Sequence, residues 1–489
     1  MTPECATLMR WLLNEGTLVY LSGEAGTGKT YQIRQLLAEW PTPQHDYDPP
    51  TVAVVAPTGL AAEHIGGQTI HLFLRIPVMD FELRYDDKGQ LLLNPDDFAP
   101  IKSKEQQAFR KRIKALKLLI IDEVSMVRCD LMEIIEARLR MLRENDKPFG
   151  GLSLLMVGDL HQLPPVLDKT RRDYLLKETW HQSPYFFHAH CLENPKLTMK
   201  FMELTEIKRI RHGKRKSEEL GTMLHAIRQG EWTPETEEIL LQRYELVRES
   251  FKPSPADKYI CTHRHRAAII NQWMLHYLPG PFVYIPTLAP GNGKEYIEER
   301  RALLVKVGAP VMFTESDNEA TKRQKRRFYK GTFGLITNID TDHLTIALQQ
   351  PEGKPREIQV SRMRWTMSPE GELKRIPITH YKQVKDYISQ YPIELAWAIT
   401  IHKSQGSSLD NVFVDAQELF EPGQLYVALS RATSMAGLHL LAPLRPDNET
   451  HQPYIQVDPH VLAFERYMRE QIKQQKGEKA GKTPQTDPK

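Results

Sequence analysis

Within the first 160 positions, short apolar runs each end in polar residues: Leu18-Val19-Tyr20-Leu21, TVAVVAP (51–57), KLLIIDE (117–123) and LSLLMVGD (152–159). Runs of this length, rich in leucine and β-branched residues, predict parallel strands buried on both faces. Between them, YQIRQLLAEW and LMEIIEARLRML (131–142) carry the spacing of helices. The alternation predicts an α/β domain over residues 1–200, with its polar strand ends at the edge where open sheets place ligands. A second α/β unit is expected over 201–310, from FMELTEIKRI through SEELGTMLHAIRQG, DKYICTH (257–263) and RAAIINQWM. Alternating stretches such as GTFGLITNIDTDHLTIALQQ, with turn residues Asn338, Asp340 and Asp342, predict β hairpins. They read as a small barrel-like β domain inserted at 311–381. The chain then rejoins the parent sheet at ELAWAITIHK and continues over 382–466. The polar stretch 467–489, rich in Lys, Gln, Gly and Pro, reads as a disordered tail.

The loop after the first strand is GEAGTGKT, from Gly23 to Thr30. Gly23, Gly26 and Gly28 let backbone N–H groups, that of Thr27 among them, curl around phosphate at the positive end of the following helix. Lys29 would reach the β and γ phosphates and Thr30 would hold a magnesium ion. The strand-end pair Asp122 and Glu123 adds a second magnesium contact and a residue that orients the attacking water. After the next strand comes GDLHQLPPV, where Gln162 can sense the γ phosphate through a neutral amide that both donates and accepts. The combination points to an ATP-driven motor rather than a metabolic kinase.

Other runs suit a polyanion. In APTGLAAEHIGGQTIHLFL, Pro57, Thr58 and Thr69 border backbone amides and hydroxyls suited to phosphates, and His71 and Phe73 can meet sugars or bases. For Phe73, core packing is the stronger local reading. Thr400, His402, Lys403 and Ser404 offer donors in AITIHKSQG, where Gln405 and Gly406 are suited to the nucleotide. Arg209 and Arg431 are candidates for stabilising charge on the transferred phosphate, a task for a planar guanidinium.

The net charge of the 489 residues is only +3, but basic residues cluster, with six between Lys208 and Lys216 and six between Lys322 and Lys330. The run His263-Arg264-His265-Arg266 reads as surface charge rather than a metal site. Four scattered cysteines fit a reducing compartment, and no apolar run reaches the ~18 residues of a membrane span.

Together these segments resemble the Pif1 family of superfamily 1B, RecD-like DNA helicases, over about residues 10–445. GEAGTGKT, APTGLAA, TIHLF, IIDEVSM, GDLHQLPPV, LTEIKRI, WAITIHKSQG and LYVALSRAT stand in the family's motif order. The resemblance implies two RecA-like lobes that clasp ATP, a 1B wedge near 74–104 and an SH3-like 2B insertion. It implies ATP and Mg2+ as cofactors, 5′ to 3′ unwinding in replication, repair or recombination, and arginine fingers at Arg209 and Arg431. Partners would be single-stranded DNA, its junctions with duplex, and G-quadruplexes, met by a monomer in the bacterial cytoplasm or a eukaryotic nucleus or organelle. Two departures stand out: residues 1–22 lack the glutamine that reads adenine, and EIKRI lacks an aromatic platform.

Overall fold

The computed structural model describes residues 1–41, 48–98, 104–179, 181–193, 197, 199–206, 214–250, 254–291, 302–317, 326–348, 355–367, 373–444 and 455–480. The chain falls into two compact units: Met1–Glu237 with Leu419–Met435 and Arg445–Lys489, and Glu238–Glu418 with Ala436–Leu444.

The first unit is built on six strands: β1 (Leu18–Gly23), β2 (Val52–Ala56), β3 (Gln68–Thr69), β4 (Leu118–Ile121), β5 (Ser153–Gly158) and β6 (Met199–Leu204). They pair in parallel in the order β3-β2-β4-β5-β1-β6. β1, β4 and β5 are buried along their whole length, which explains their unbroken apolar sequences. One face packs on helix Cys129–Arg143 and Phe186, the other on helices Pro3–Leu12 and Lys29–Glu39.

Several boundaries differ from those the sequence suggested. Residues 201–204, expected to open the second unit, instead belong to the edge strand Met199–Leu204 beside β1, in register Leu18↔Met199 through Gly23↔Leu204. Helix Lys214–Gln229 also stays with the first unit, because its Arg228 is buried on the Asp159 carboxylate of that unit. The segment Leu419–Met435 joins it too. Residues 467–480, read as tail, continue helix Pro459–Ala480, whose Val461 and Met468 enter the first core. Of the expected 1B wedge, Ile76, Phe81, Leu83, Leu91 and Phe98 are anchored in that same core.

The second unit holds a parallel four-stranded sheet of Ala398–Thr400, Tyr259–Cys261, Val412–Asp415 and Leu438–Leu440, in that order. Inserted into it is antiparallel structure. Arg356–Val360, Leu344–Leu348, Phe333–Ile339, Pro310–Phe313 and Ile393–Leu395 form one sheet; Leu373–Arg375, Met363–Met367 and Ile388–Gln390 form another. The insertion therefore runs past 381 to Leu395. In its core, the rings of Phe313 and Phe328 stack with centroids 3.9 Å apart, beside the buried Trp365. Replacing Phe328 with Ala should cost about 3–5 kcal/mol in chemical denaturation followed by tryptophan fluorescence. A loss under about 1 kcal/mol would show that this stack does not support the insertion.

Candidate functional site

The strand register sets the site. Ser22 lies opposite Gly158 and Ile121 opposite Met156, so the phosphate loop, Asp122 and Asp159 all leave the sheet at one carboxyl edge. Gly26 and Gly28 have φ of 89° and 90°. Gly28 caps the helix Lys29–Glu39 in the left-handed conformation that only glycine adopts without strain, and this aims the helix N-terminus into the loop. The Thr27 hydroxyl, buried, donates to Glu24 O at 2.9 Å and closes the turn. Lys29 Nζ donates to Gly23 O at 2.6 Å and Glu24 O at 3.1 Å. Burial lowers its pKa while Asp159, Glu123 and Asp122 oppose the shift. Thr30 is exposed one residue further on.

Asp122 is buried, and its carboxyl is pushed up to about 7 by desolvation and by the neighbouring Glu123 charge, with the Glu123 N–H and Lys29 opposing. Glu123 has φ 51°, a left-handed conformation unusual for a residue with a side chain, and it begins the turn Val124–Met126. Its N–H donates to Asp122 Oδ1 at 3.0 Å.

Asp159 forms the most heavily charged part of the edge. Arg228 Nε donates to its Oδ1 at 3.1 Å and the Tyr426 hydroxyl to its Oδ2 at 2.8 Å. The same hydroxyl accepts from Ala25 N at 2.9 Å, which joins the phosphate loop to Asp159. Burial alone would raise this carboxyl, but Arg228 and Lys29, with His161 and Tyr426, hold it down at about 2. Glu24 in the loop is gripped from helix Lys214–Gln229 by His225 Nδ1 at 2.5 Å, with Arg228 Nη1 3.9 Å away. Gln162 is buried on the loop after Asp159, and Gly423 packs onto its backbone. A Cβ at Gly423 would sit 2.5 Å from His161 O and 2.7 Å from Gln162 O, so the approach depends on glycine.

Arg431 is buried in this unit; it donates to Val427 O at 2.9 Å and Ser430 Oγ at 2.8 Å. Arg209 lies outside the described residues. Gln405 and Gly406 stand in the second unit, Gln405 buried and Gly406 with φ 79°.

The polyanion candidates divide. Pro57, Thr58 and His71 are partly exposed; the Thr58 and Thr69 hydroxyls accept from Ala61 N and Leu72 N as helix caps. Burial, then Arg128, lowers the His71 pKa. Phe73 is 6% exposed and lies in the first core with Arg112 over its ring at 5.3 Å, so packing claims it rather than a base. In the second unit, His402 is partly exposed and Lys403 pairs with Glu394 at 2.5 Å. Ser404 is fully buried and donates its hydroxyl to Ile401 O at 2.7 Å, so this hydroxyl is not offered to a strand.

Residues 7–238 match the model of the PIF1-like helicase family, and 395–438 that of the UvrD-like helicase C-terminal domain. The ATP-dependent DNA helicase Pif1 of Bdellovibrio bacteriovorus is 29% identical over 473 residues, 95% of this chain and 91% of that protein. The chain thus carries a PIF1-like helicase domain over residues 7–238 and is similar to Pif1 helicases over most of its length. It spans 63% of the length of the Xenopus laevis helicase PIF1. A Pif1 helicase, one of two coordinating at forked dsDNA, superposes with TM-score 0.74 at 28% identity, covering 96% of this chain and 98% of that one. Pif1 from Bacteroides in complex with ADP-AlF3 and ssDNA superposes with TM-score 0.71 at 28% identity, covering 96% and 97%.

Tyr426 and Arg228 at this edge were not singled out from the sequence. Tyr426 sits in an apolar helix and reads as core. Arg228 had a visible signal: it lies on the stripe Leu220, Leu224, Arg228, at the i, i+4 spacing of buried positions.

Because the Asp159 carboxyl falls from 3.8 to about 2 on folding, it contributes about 2 kcal/mol above its unfolded pKa, lost as pH falls towards 2. The stability gap between wild type and Asp159→Asn should therefore narrow between pH 5 and about 3 in urea unfolding. A gap independent of pH would contradict the charged assignment.

Proposed function

We propose that this chain hydrolyses ATP to move 5′ to 3′ along single-stranded DNA and to unwind the duplex ahead. The observation that carries the reading is the convergence of Lys29, the Asp122-Glu123 pair and the Asp159–Gln162 loop on one sheet edge, within residues 7–238 that match the PIF1-like helicase model. Lys29 and the loop amides bind the β and γ phosphates. Glu123 orients the attacking water and accepts its proton, and Gln162 follows the γ phosphate. Arg209 and Arg431 supply positive charge to the transferred group.

The residues present fit a magnesium ion: Asp122 is a buried carboxyl short of positive charge, and the exposed Thr30 hydroxyl is a hard oxygen donor. Asp122 and Thr30 would hold it, and when bound it would neutralise charge on the β and γ phosphates. Among the described residues no group of three or more His, Cys, Asp and Glu converges as a metal cage.

Pro57, Thr58, His71, His402 and Lys403 contact the DNA strand, and the antiparallel insertion takes the place of the SH3-like 2B domain. The partners are single-stranded DNA and its junctions with duplex, as for the relatives at forked dsDNA and ssDNA, and G-quadruplexes are a further substrate. The protein acts as a monomer in the cytoplasm of a bacterium, or in a nucleus or organelle. Among the described residues no helix is long and apolar enough to cross a membrane. Separating one base-pair step costs about 1.4 kcal/mol, well below the yield of one ATP.

Displacement of a labelled strand from matched duplexes with a 5′ or a 3′ tail tests the reading. Displacement only with the 5′ tail is expected; a preference for the 3′ tail would overturn the polarity, and ATPase without displacement would mark an ATP-gated binding protein. Glu123→Gln should keep ATP and DNA binding while losing multiple turnover by about 100-fold. Sustained turnover by that variant would remove Glu123 from the chemistry.

A further inference from the structure

Buried Arg228 is balanced by Asp159 and, on its other side, by a carboxylate from a segment outside every nucleotide motif. Glu465, on helix Pro459–Ala480, is 2% exposed. Its Oε1 accepts from Arg228 Nη2 at 3.4 Å, and its Oε2 lies 3.1 Å from both His161 Nε2 and Arg469 Nη2. Arg469 continues to Glu203 on β6 at 2.7 Å. Burial would raise the Glu465 carboxyl, but His161, Arg228 and Arg469 outweigh it and hold the group below the usual carboxylate range.

The helix has an apolar anchor of its own. Val461 and Met468 enter the first core, and Phe464 stacks on Phe187 with centroids 4.2 Å apart. A buried carboxylate is a costly way to seat a helix that already has such an anchor. What the carboxylate adds is geometric: it holds the far side of Arg228, whose near side holds Asp159, and it touches His161, the residue before Gln162.

We propose that Glu465 is a positioning residue for ATP hydrolysis, which makes the C-terminal helix part of the nucleotide site. Through Arg228 it fixes Asp159, and with it the Tyr426 hydroxyl that binds Ala25 N in the phosphate loop. Through His161 it fixes the backbone that carries Gln162. The proposal rests on the reading of Gln162 as γ-phosphate sensor.

The test is DNA-stimulated ATPase, with kcat and KM for ATP measured separately, together with thermal melting of Glu465→Gln, Glu465→Asp, Met468→Ala and Gln162→Ala. Glu465→Gln should lower kcat about ten-fold with KM for ATP within about two-fold, and Glu465→Asp should recover part of the loss. Met468→Ala loosens the same helix without touching the charges, and should lower the melting temperature while leaving kcat within about two-fold. A folded Glu465→Gln protein with near wild-type kcat would overturn the proposal, provided that Gln162→Ala loses turnover. An equal kcat loss in Met468→Ala would reduce Glu465 to a structural part and overturn it as well. Wild-type turnover in Gln162→Ala would overturn the sensor role itself, and this role with it.

Discussion

The lysine ammonium of the phosphate loop and the carboxylates of Asp122, Glu123 and Asp159 share one half-buried edge, and the structure of the first unit follows from keeping them there. In a medium of reduced dielectric these charges attract and repel strongly, so their spacing cannot be left to loops alone. Parallel pairing supplies the spacing. The central strands β1, β4 and β5 are buried along their whole length and deliver their loops at the same edge, and the register Ser22↔Gly158 fixes which residues meet. The distribution of charge is uneven: Asp159 is saturated by Arg228 and Tyr426, while Asp122 has too little positive charge nearby. The first is the fixed frame of the edge, and the second is the position suited to a cation.

The geometry of the edge was legible where it depends on local backbone and residue type. Gly28 must adopt a left-handed φ, Lys29 must follow it, and a carboxylate pair must close a buried strand; each leaves a mark within a few residues. The β character of the insertion was legible for the same reason, since period-two alternation is local. Boundaries were less so. Nothing in FMELTEIKRI says that Met199–Leu204 pairs with β1 instead of opening a new sheet, because an edge strand and a first strand have the same pattern.

Functional residues that act through long-range pairing were the least visible. Arg228 and Glu465 are separated by 237 positions, and each looks like one more charge on an amphipathic helix. Their sign was position rather than type: both interrupt an apolar stripe, Arg228 after Leu220 and Leu224, Glu465 between Val461 and Met468. Ser404 and Phe73 show the converse. Their types suit a nucleic acid, yet a helix carbonyl uses the one and the core uses the other. A polar or aromatic residue in a motif is thus a candidate until its neighbours are known.

Binding of a nucleoside triphosphate at the Lys29 loop is the claim on which the rest depends, and equilibrium titration of the protein with a fluorescent ATP analogue tests it most directly. Saturable binding by the wild-type protein, weakened at least about 100-fold in Lys29→Ala without loss of folding, is the result this account requires. Unchanged affinity in the alanine variant would place the nucleotide elsewhere and contradict it.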